Sequence, residues 1–167
     1  MYNGFMNKVM FLLFAFFFLA LSMWAGVPEK KQLLSPAETL EVVESIKSTA
    51  IVFGESDKEI HTFIDPYCSM SQRYLNFIYK KKKVMFKKYK IYLYLYELPR
   101  KKSNDIIKTI LSSDYPKIML KQVMIEQEDV DLEDDGDAEE IMEEISEAAE
   151  KIGVFKRPYI LINGKVK

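Results

Sequence analysis

The one cysteine of the chain, Cys68, stands in the segment DPYCSMSQRYL, residues 65–75. An acidic residue and a proline precede it, and a helix-forming run follows. A thiol held at such a turn can attack a disulfide sulfur, as the first cysteine of a Cys-x-x-Cys pair does in a redox-active turn. Here the fourth position is Ser71, and a hydroxyl is a poor nucleophile toward sulfur. A mixed disulfide formed on Cys68 therefore needs an outside thiol, or a second thiol of the substrate, to release it. The pattern allows isomerisation and glutathione-type exchange. It excludes net oxidation by transfer of an internal disulfide. Ser71 is expected to hydrogen-bond to the thiolate.

Other readings of these residues stay open at this level. Cys68 could be an inert, buried, small apolar side chain. Cys68 and Met70 could together hold copper(I), since soft ligands select that ion, but Cys-x-Met lacks a second cysteine or a nearby ligating histidine. No metal and no cofactor is expected. The lone His61 has no Cys, His or acidic neighbour at ligand spacing and reads as a packed or edge histidine. Met119 and Met124, in helical stretches, read as core.

The elements around Cys68 decide how the sulfur is presented. Two β-type runs, 50–53 and 59–65, flank a Gly-Glu-Ser-Asp turn and read as a hairpin leading into a buried strand. From Cys68 to Tyr79 the apolar positions Tyr74, Leu75 and Ile78 follow a helical period. The sulfur then lies among unsatisfied backbone N–H groups at the positive end of a helix, where the thiolate is favoured. The basic run KKKKVMFKKYK crosses to IYLYLYEL. There Ile91, Leu93 and Leu95 alternate with Tyr92, Tyr94 and Tyr96, so both faces are apolar and the strand should be central. Pro99 should end it. Strand, helix and strand in that order predict a right-handed βαβ unit with a parallel pair.

Upstream, SPAETLEVVESIKS predicts a helix. Ser35 is the N-cap, Pro36 the first helical residue and Glu38 the partner of a capping box. Leu40, Val43 and Ile46 form its apolar stripe. Downstream, helices are expected over 104–112 with Ser103 as cap, over 115–127, and over 138–152 after an acidic loop. Ile141, Ile145, Ala148 and Ile152 line the last of these, and Gly153 is its C-cap. RPYILING is a further strand, and Asn163-Gly164 signals a hairpin.

Three segments together resemble the thioredoxin superfamily, most closely its periplasmic disulfide isomerase (DsbC/DsbG-like) branch. They are HTFIDPYCSMSQRYL, YLYLYELPRKKS and GVFKRPYILINGK, and the resemblance covers roughly residues 50–167. It implies an α/β, thioredoxin-like fold with a central mixed sheet and a helical insertion at about 103–136. The chain ends at INGKVK, so the last strand and closing helix are expected to be incomplete. The branch's N-terminal dimerisation domain is expected to be missing, because 35–54 is too short to replace it. The oligomeric state is left open. The resemblance further implies that Cys68 is the nucleophile, that Ser71 stands in the resolving position, and that Pro158 is a cis-proline guiding an extended substrate strand. Tyr67, Arg157 and Pro158 are then expected to meet substrate, with the Arg157 guanidinium near enough to favour the thiolate further.

Residues 1–26 lie outside this domain. They carry Lys8 and then a dense apolar run over 9–21, the arrangement of a secretory signal, with Ala20 and Ser22 as small residues for cleavage. The apolar stretch 9–25 also approaches the length that spans a bilayer. A cleaved signal and an uncleaved anchor in the inner membrane both stay open, and either one exports the rest of the chain to the periplasm or beyond. Residues 27–35 read as a linker and 36–167 as the domain. At 167 residues and a net charge of −1 the chain suits one globular domain with no nucleic-acid partner. Its charges are segregated: 80–102 is basic and 126–150 acidic, read as two solvated surfaces, with contact between the basic stretch and an anionic membrane surface as the alternative. The expected partners are exported proteins with disulfides, or an external thiol reductant. The expected activity is monothiol thiol–disulfide exchange. The alternative is a non-enzymatic peptide-binding or chaperone-like module on the same fold.

Overall fold

The alternating Ile/Leu and Tyr residues at 91–95 build an interior strand of the sheet. In the computed structural model, which describes residues 32–97, 101–132 and 136–167, they form β3 (Lys90–Leu95), flanked on both edges. The other strands are β1 (Ile51–Phe53), β2 (Glu59–Ile64), β4 (Tyr159–Ile162) and β5 (Lys165–Val166), and the order across the sheet is β1-β3-β2-β4-β5. β2 and β3 run parallel, with Ile60 beside Ile91 and Ile64 beside Leu95. The remaining pairs are antiparallel, so the sheet is mixed. The connection between the parallel strands is α2 (Ser69–Lys80) and α3 (Lys82–Lys88), so the basic run is helical and not a bare crossing.

The two faces of β3 feed two cores, as its alternation requires. Ile91, Leu93 and Leu95 pack with Leu75 and Ile78 of α2. Ile107 and Ile110 of α4 (Asn104–Ser112) and Leu120 of α5 (Pro116–Lys121) join the same cluster. Tyr92 and Tyr94 pack on the other side with Phe63, Tyr159 and Leu161, under α1 (Pro36–Ser45) and α6 (Gly136–Ile152). Burying each such large side chain contributes about 1.5–3 kcal/mol, and every β3 residue from Ile91 to Leu95 is buried.

β1 does not form a hairpin with β2. It pairs antiparallel with β3, Val52 opposite Tyr92. Gly54, at φ +78, turns the chain against Tyr89 so closely that an added Cβ would lie 2.1 Å from the Tyr89 carbonyl oxygen. β3, apolar on both faces, offers the free edge that β1 takes.

α1 has the expected capping box, with the Ser35 side chain and Glu38 bonding each other's backbone N–H. Its inner face differs from the expected stripe: Leu40 is exposed, and Thr39 is buried with Val43 and Ile46. Thr39 can be buried because its hydroxyl donates to the Ser35 carbonyl. Residues 32–35, read as linker, are fastened to the domain. Gln32 donates to the Gly164 carbonyl and accepts from Val166 N–H, and Leu33 N–H bonds Ile152.

The helix expected over 115–127 is α5 followed by a π-helical turn, Gln122–Glu126, which ends at Gln127 in the left-handed region (φ 56). Gly153, at φ +80, follows α6, and the Asn163-Gly164 turn joins β4 to β5. Among the described residues no helix is long and apolar enough to cross a membrane. Residues 1–31 and Pro99 lie outside the described residues.

Candidate active site

Cys68 sits where a buried strand gives way to a helix. Ile64 and Asp65 at the end of β2 are fully buried. The chain then turns through Pro66 and Tyr67, and Cys68 becomes the N-cap of α2 at φ −86. Asp65 shapes the turn. Its Oδ1 accepts from the Tyr67 N–H at 2.8 Å, and its carbonyl accepts from the Cys68 N–H at 3.1 Å. Such bonding two residues onward is the local preference of an aspartate. Gln72, one turn into α2, donates back to the Pro66 carbonyl at 2.9 Å.

The Cys68 sulfur makes no capping bond to the helix N–H groups. Its thiol instead points at the Arg157 carbonyl oxygen, 3.8 Å away. The Arg157–Pro158 peptide bond is cis, as the resemblance implied. Cys68 and the Arg157–Pro158 loop, 89 residues apart in sequence, are therefore adjacent in space. Cys68 keeps 8% of its surface exposed.

Ser71 is placed differently from expectation. Ser71 is fully buried, and its Oγ accepts from the Asp65 backbone N–H at 3.2 Å. It ties the first turn of α2 to the end of β2 instead of reaching the sulfur. The Arg157 guanidinium makes its hydrogen bonds elsewhere. It lies 3.9 Å over the Tyr96 ring and donates to the carbonyls of Tyr96, Glu97 and Lys156. Burial pulls its pKa below the usual guanidinium value, opposed by Tyr96 and Asp65. Its planar fork suits several carbonyls at once. Its place in the fold is to hold the loop before Pro158 against the end of β3, and the Cys68 thiol is among the groups that act on its charge.

Ser103 was read as the cap of α4, but its side chain makes no capping bond there. Its hydroxyl donates to Asp65 Oδ2 at 3.1 Å, and its N–H bonds the Glu97 carboxylate. Asp65, Glu97 and Ser103 thus support the site without having been singled out. Only the Asp-Pro turn signal pointed to Asp65, and no local pattern pointed to the other two. Tyr67 is 46% exposed beside Cys68 and borders a groove of about 380 Å³. Gln72, Ile106, Val123, Leu132 and Glu128 line it as well. Met70 is exposed, and no metal-binding group of three or more ligands exists among the described residues. Tyr159, next to Pro158, is fully buried. Its hydroxyl has no hydrogen-bond partner among the described residues.

His61 lies at the other end of β2 and is packed, as expected, but it has an acidic neighbour. Its Nδ1 is 3.0 Å from the Tyr94 hydroxyl and its Nε2 3.4 Å from Glu59. Glu59 is two residues away and on the same strand face, a spacing that ligand patterns overlook.

The fold and this corner define the class: a thioredoxin-like domain. Among solved structures, the chain is similar to the catalytic domain of ScsC from Proteus mirabilis, at TM-score 0.65 and 14% identity over 78% of this chain and 88% of that one. It is also similar to DsbG of Helicobacter pylori, at TM-score 0.59 and 16% identity over 75% and 61% of the two chains. A thioredoxin-like oxidoreductase from Silicibacter pomeroyi aligns at TM-score 0.55 and 11% identity, over 71% and 82%. Identities this low show a shared fold. No family model matches the chain, and no curated protein matches it in sequence.

Proposed function

We propose that Cys68 performs monothiol thiol–disulfide exchange on exported proteins or small disulfides, in the manner of the disulfide isomerase branch. The observation that carries this reading is the thiol at the N-cap of α2, 3.8 Å from the carbonyl that precedes cis-Pro158. The thioredoxin-like fold shared with ScsC, DsbG and an oxidoreductase supports it.

In the first step the Cys68 thiolate attacks one sulfur of a substrate disulfide. That S–S bond breaks, a Cys68–substrate disulfide forms, and the other substrate sulfur leaves as a thiolate and takes up a proton. In the second step an outside thiolate, or another thiol of the substrate, attacks the mixed disulfide and frees Cys68. Attack by the substrate's own thiol gives isomerisation with no net change in oxidation state. Attack by successive external thiols reduces the substrate and oxidises those thiols. Ser71 takes no part in release, being buried and bonded to the Asp65 N–H. Tyr67, exposed beside the sulfur, and the Arg157–Pro158 backbone are the surfaces a substrate strand would meet.

The test is intact mass of the purified full chain after exposure to oxidised glutathione, before and after reductant. The expected result is one reducible glutathionyl adduct, absent in Cys68→Ser. A wild-type thiol that stays unmodified while a small free-cysteine peptide reacts would sink the reading.

The groove beside Tyr67 favours a second reading, a peptide-binding module that needs no thiol chemistry. In that case Cys68→Ser would bind unfolded polypeptide as the wild type does. Export is part of both readings and rests on residues 1–26. Cell fractionation of the tagged chain tests it.

A further inference from the structure

The run from Lys80 to Lys90 carries seven lysines and no acidic residue. The fold places it at the far end of α2 from Cys68. α2 is twelve residues long, about 18 Å at the usual helical rise. Lys80, Lys81, Lys82, Lys83, Lys87 and Lys88 are all exposed. None of these six makes an ion pair with a described carboxylate. Two large apolar side chains stand out to solvent among them, Val84 at 62% and Phe77 at 52% exposure. Lys117 of α5 adds a further cation across a groove that Lys87 and Phe86 also line, with Glu55 the one carboxylate there.

The charge is also polarised through the fold. Phe86 and Met85 of α3 pack on the core that covers one face of the sheet. α6, with Ile145, Ala148 and Ile152 in the core on the other face, carries Glu139, Glu140, Glu143, Glu144, Glu147 and Glu150. An anionic plane would therefore attract one side of the domain and repel the other.

We propose that the α2–α3 corner docks on an anionic lipid surface. Lysines at 80–83, 87 and 88 would sit over the headgroups, and Phe77 and Val84 would dip among them. Cations interleaved with exposed apolar side chains fit the interface of a bilayer, which has both charge and an apolar layer. A nucleic acid offers the charge but not the apolar layer. The apolar run at 9–25 gives the same chain an independent reason to be at a membrane. In this pose α2 holds Cys68 away from the lipid and toward the aqueous side. The proposal does not depend on Cys68 being reactive.

The test is co-sedimentation of the full chain with preformed vesicles of phosphatidylglycerol and phosphatidylethanolamine, and with phosphatidylcholine vesicles. Any contribution of 9–25 should appear with both. The wild type should bind the anionic vesicles more tightly, and about 0.5 M salt should remove the difference. The variant Lys82→Gln/Lys83→Gln/Lys87→Gln/Lys88→Gln should bind anionic vesicles at least ~30-fold more weakly, with its thermal melt unchanged. Val84→Ser should weaken binding by about threefold. The proposal is overturned if the lysine variant binds like the wild type. It is equally overturned if a duplex oligonucleotide binds more tightly than the anionic vesicles at equal salt. A third variant, Glu143→Gln/Glu147→Gln, raises net charge on the opposite face. If it strengthens binding as much as the lysine set weakens it, net charge rather than this corner governs and the proposal fails.

Discussion

The two ends of β2 hold similar side chains in opposite arrangements. At the amino end, Glu59 meets cations and hydroxyls side chain to side chain. Lys47 lies 2.9 Å from its carboxylate, the Tyr92 hydroxyl donates to it at 3.1 Å, and His61 approaches at 3.4 Å. At the carboxyl end, Asp65 and Arg157 work mostly on the backbone, with the Ser103 hydroxyl and the Tyr96 ring as their side-chain partners. Asp65 accepts from the Tyr67 N–H, and Arg157 donates to three carbonyls. The first arrangement closes on itself and holds β2, β3 and the 3₁₀ turn at Lys47–Thr49 together. The second shapes a turn and a loop, and beside them the Cys68 thiol makes a long hydrogen bond to the Arg157 carbonyl. A self-satisfied cluster is structure. Under the proposed function, the second end is the one that presents the sulfur.

The largest expected effect tests this division directly. Ser71→Cys restores a dithiol spacing, so Cys68 should be released from mixed disulfides by internal attack. A glutathionyl adduct that persists on the wild type should then disappear without added reductant, as mass spectrometry would show. If the adduct persists, the buried position of residue 71 denies it access to the sulfur.

Next in size is Asp65→Ala. It removes a fully buried carboxylate and leaves the Tyr67 N–H and Ser103 hydroxyl without that partner. Unfolding in urea should show a loss of about 2–3 kcal/mol, along with slower thiol exchange. Glu59→Gln should cost less, about 1–2 kcal/mol, because the carboxylate is a third exposed, and it should leave exchange unchanged. Equal effects of the two on exchange would erase the distinction between the two ends.

A smaller effect is the pH dependence of the amino end. Burial pushes the His61 pKa below its usual value, opposed by Glu59. The folded state therefore binds fewer protons than the unfolded chain below about pH 6.5, the ordinary imidazole value. Stability is full above that pH and is lost as pH falls from there toward the folded pKa. Urea midpoints should decline over this window in the wild type and lose that slope in His61→Phe, which keeps a ring on Tyr92. The smallest effect is Tyr159→Phe. It deletes a buried hydroxyl with no partner among the described residues, so stability should stay level or rise by up to about 1 kcal/mol. A loss would mean that hydroxyl has a role at the loop.

What was legible in the sequence was local. The Ser35–Glu38 box, the two-faced β3, the helix beginning at Cys68 and the Asn163-Gly164 turn each depend on residues within a few positions. What failed to show was non-local. β1 was read with its sequence neighbour β2, because a turn of Gly, Glu, Ser and Asp looks the same whichever strand the chain later joins. Arg157 is expected near the sulfur from its position beside Pro158, but that position says nothing of the ring and carbonyls at the end of β3 that hold its guanidinium. Ser103 reads as a cap from its own helix and as an Asp65 partner only once 38 residues of chain have folded back.

The sequence by itself determined that Cys68 is the one cysteine in it and that it begins a helix after a buried strand. These follow from residue identity and periodicity, which tertiary contacts do not alter. Only the tertiary structure decided what faces the sulfur. The Arg157 carbonyl that precedes cis-Pro158 is near it, while Ser71 is turned to the Asp65 N–H. Burial makes every hydrogen-bonding group take the partner within reach, and that choice is made among residues far apart in the chain.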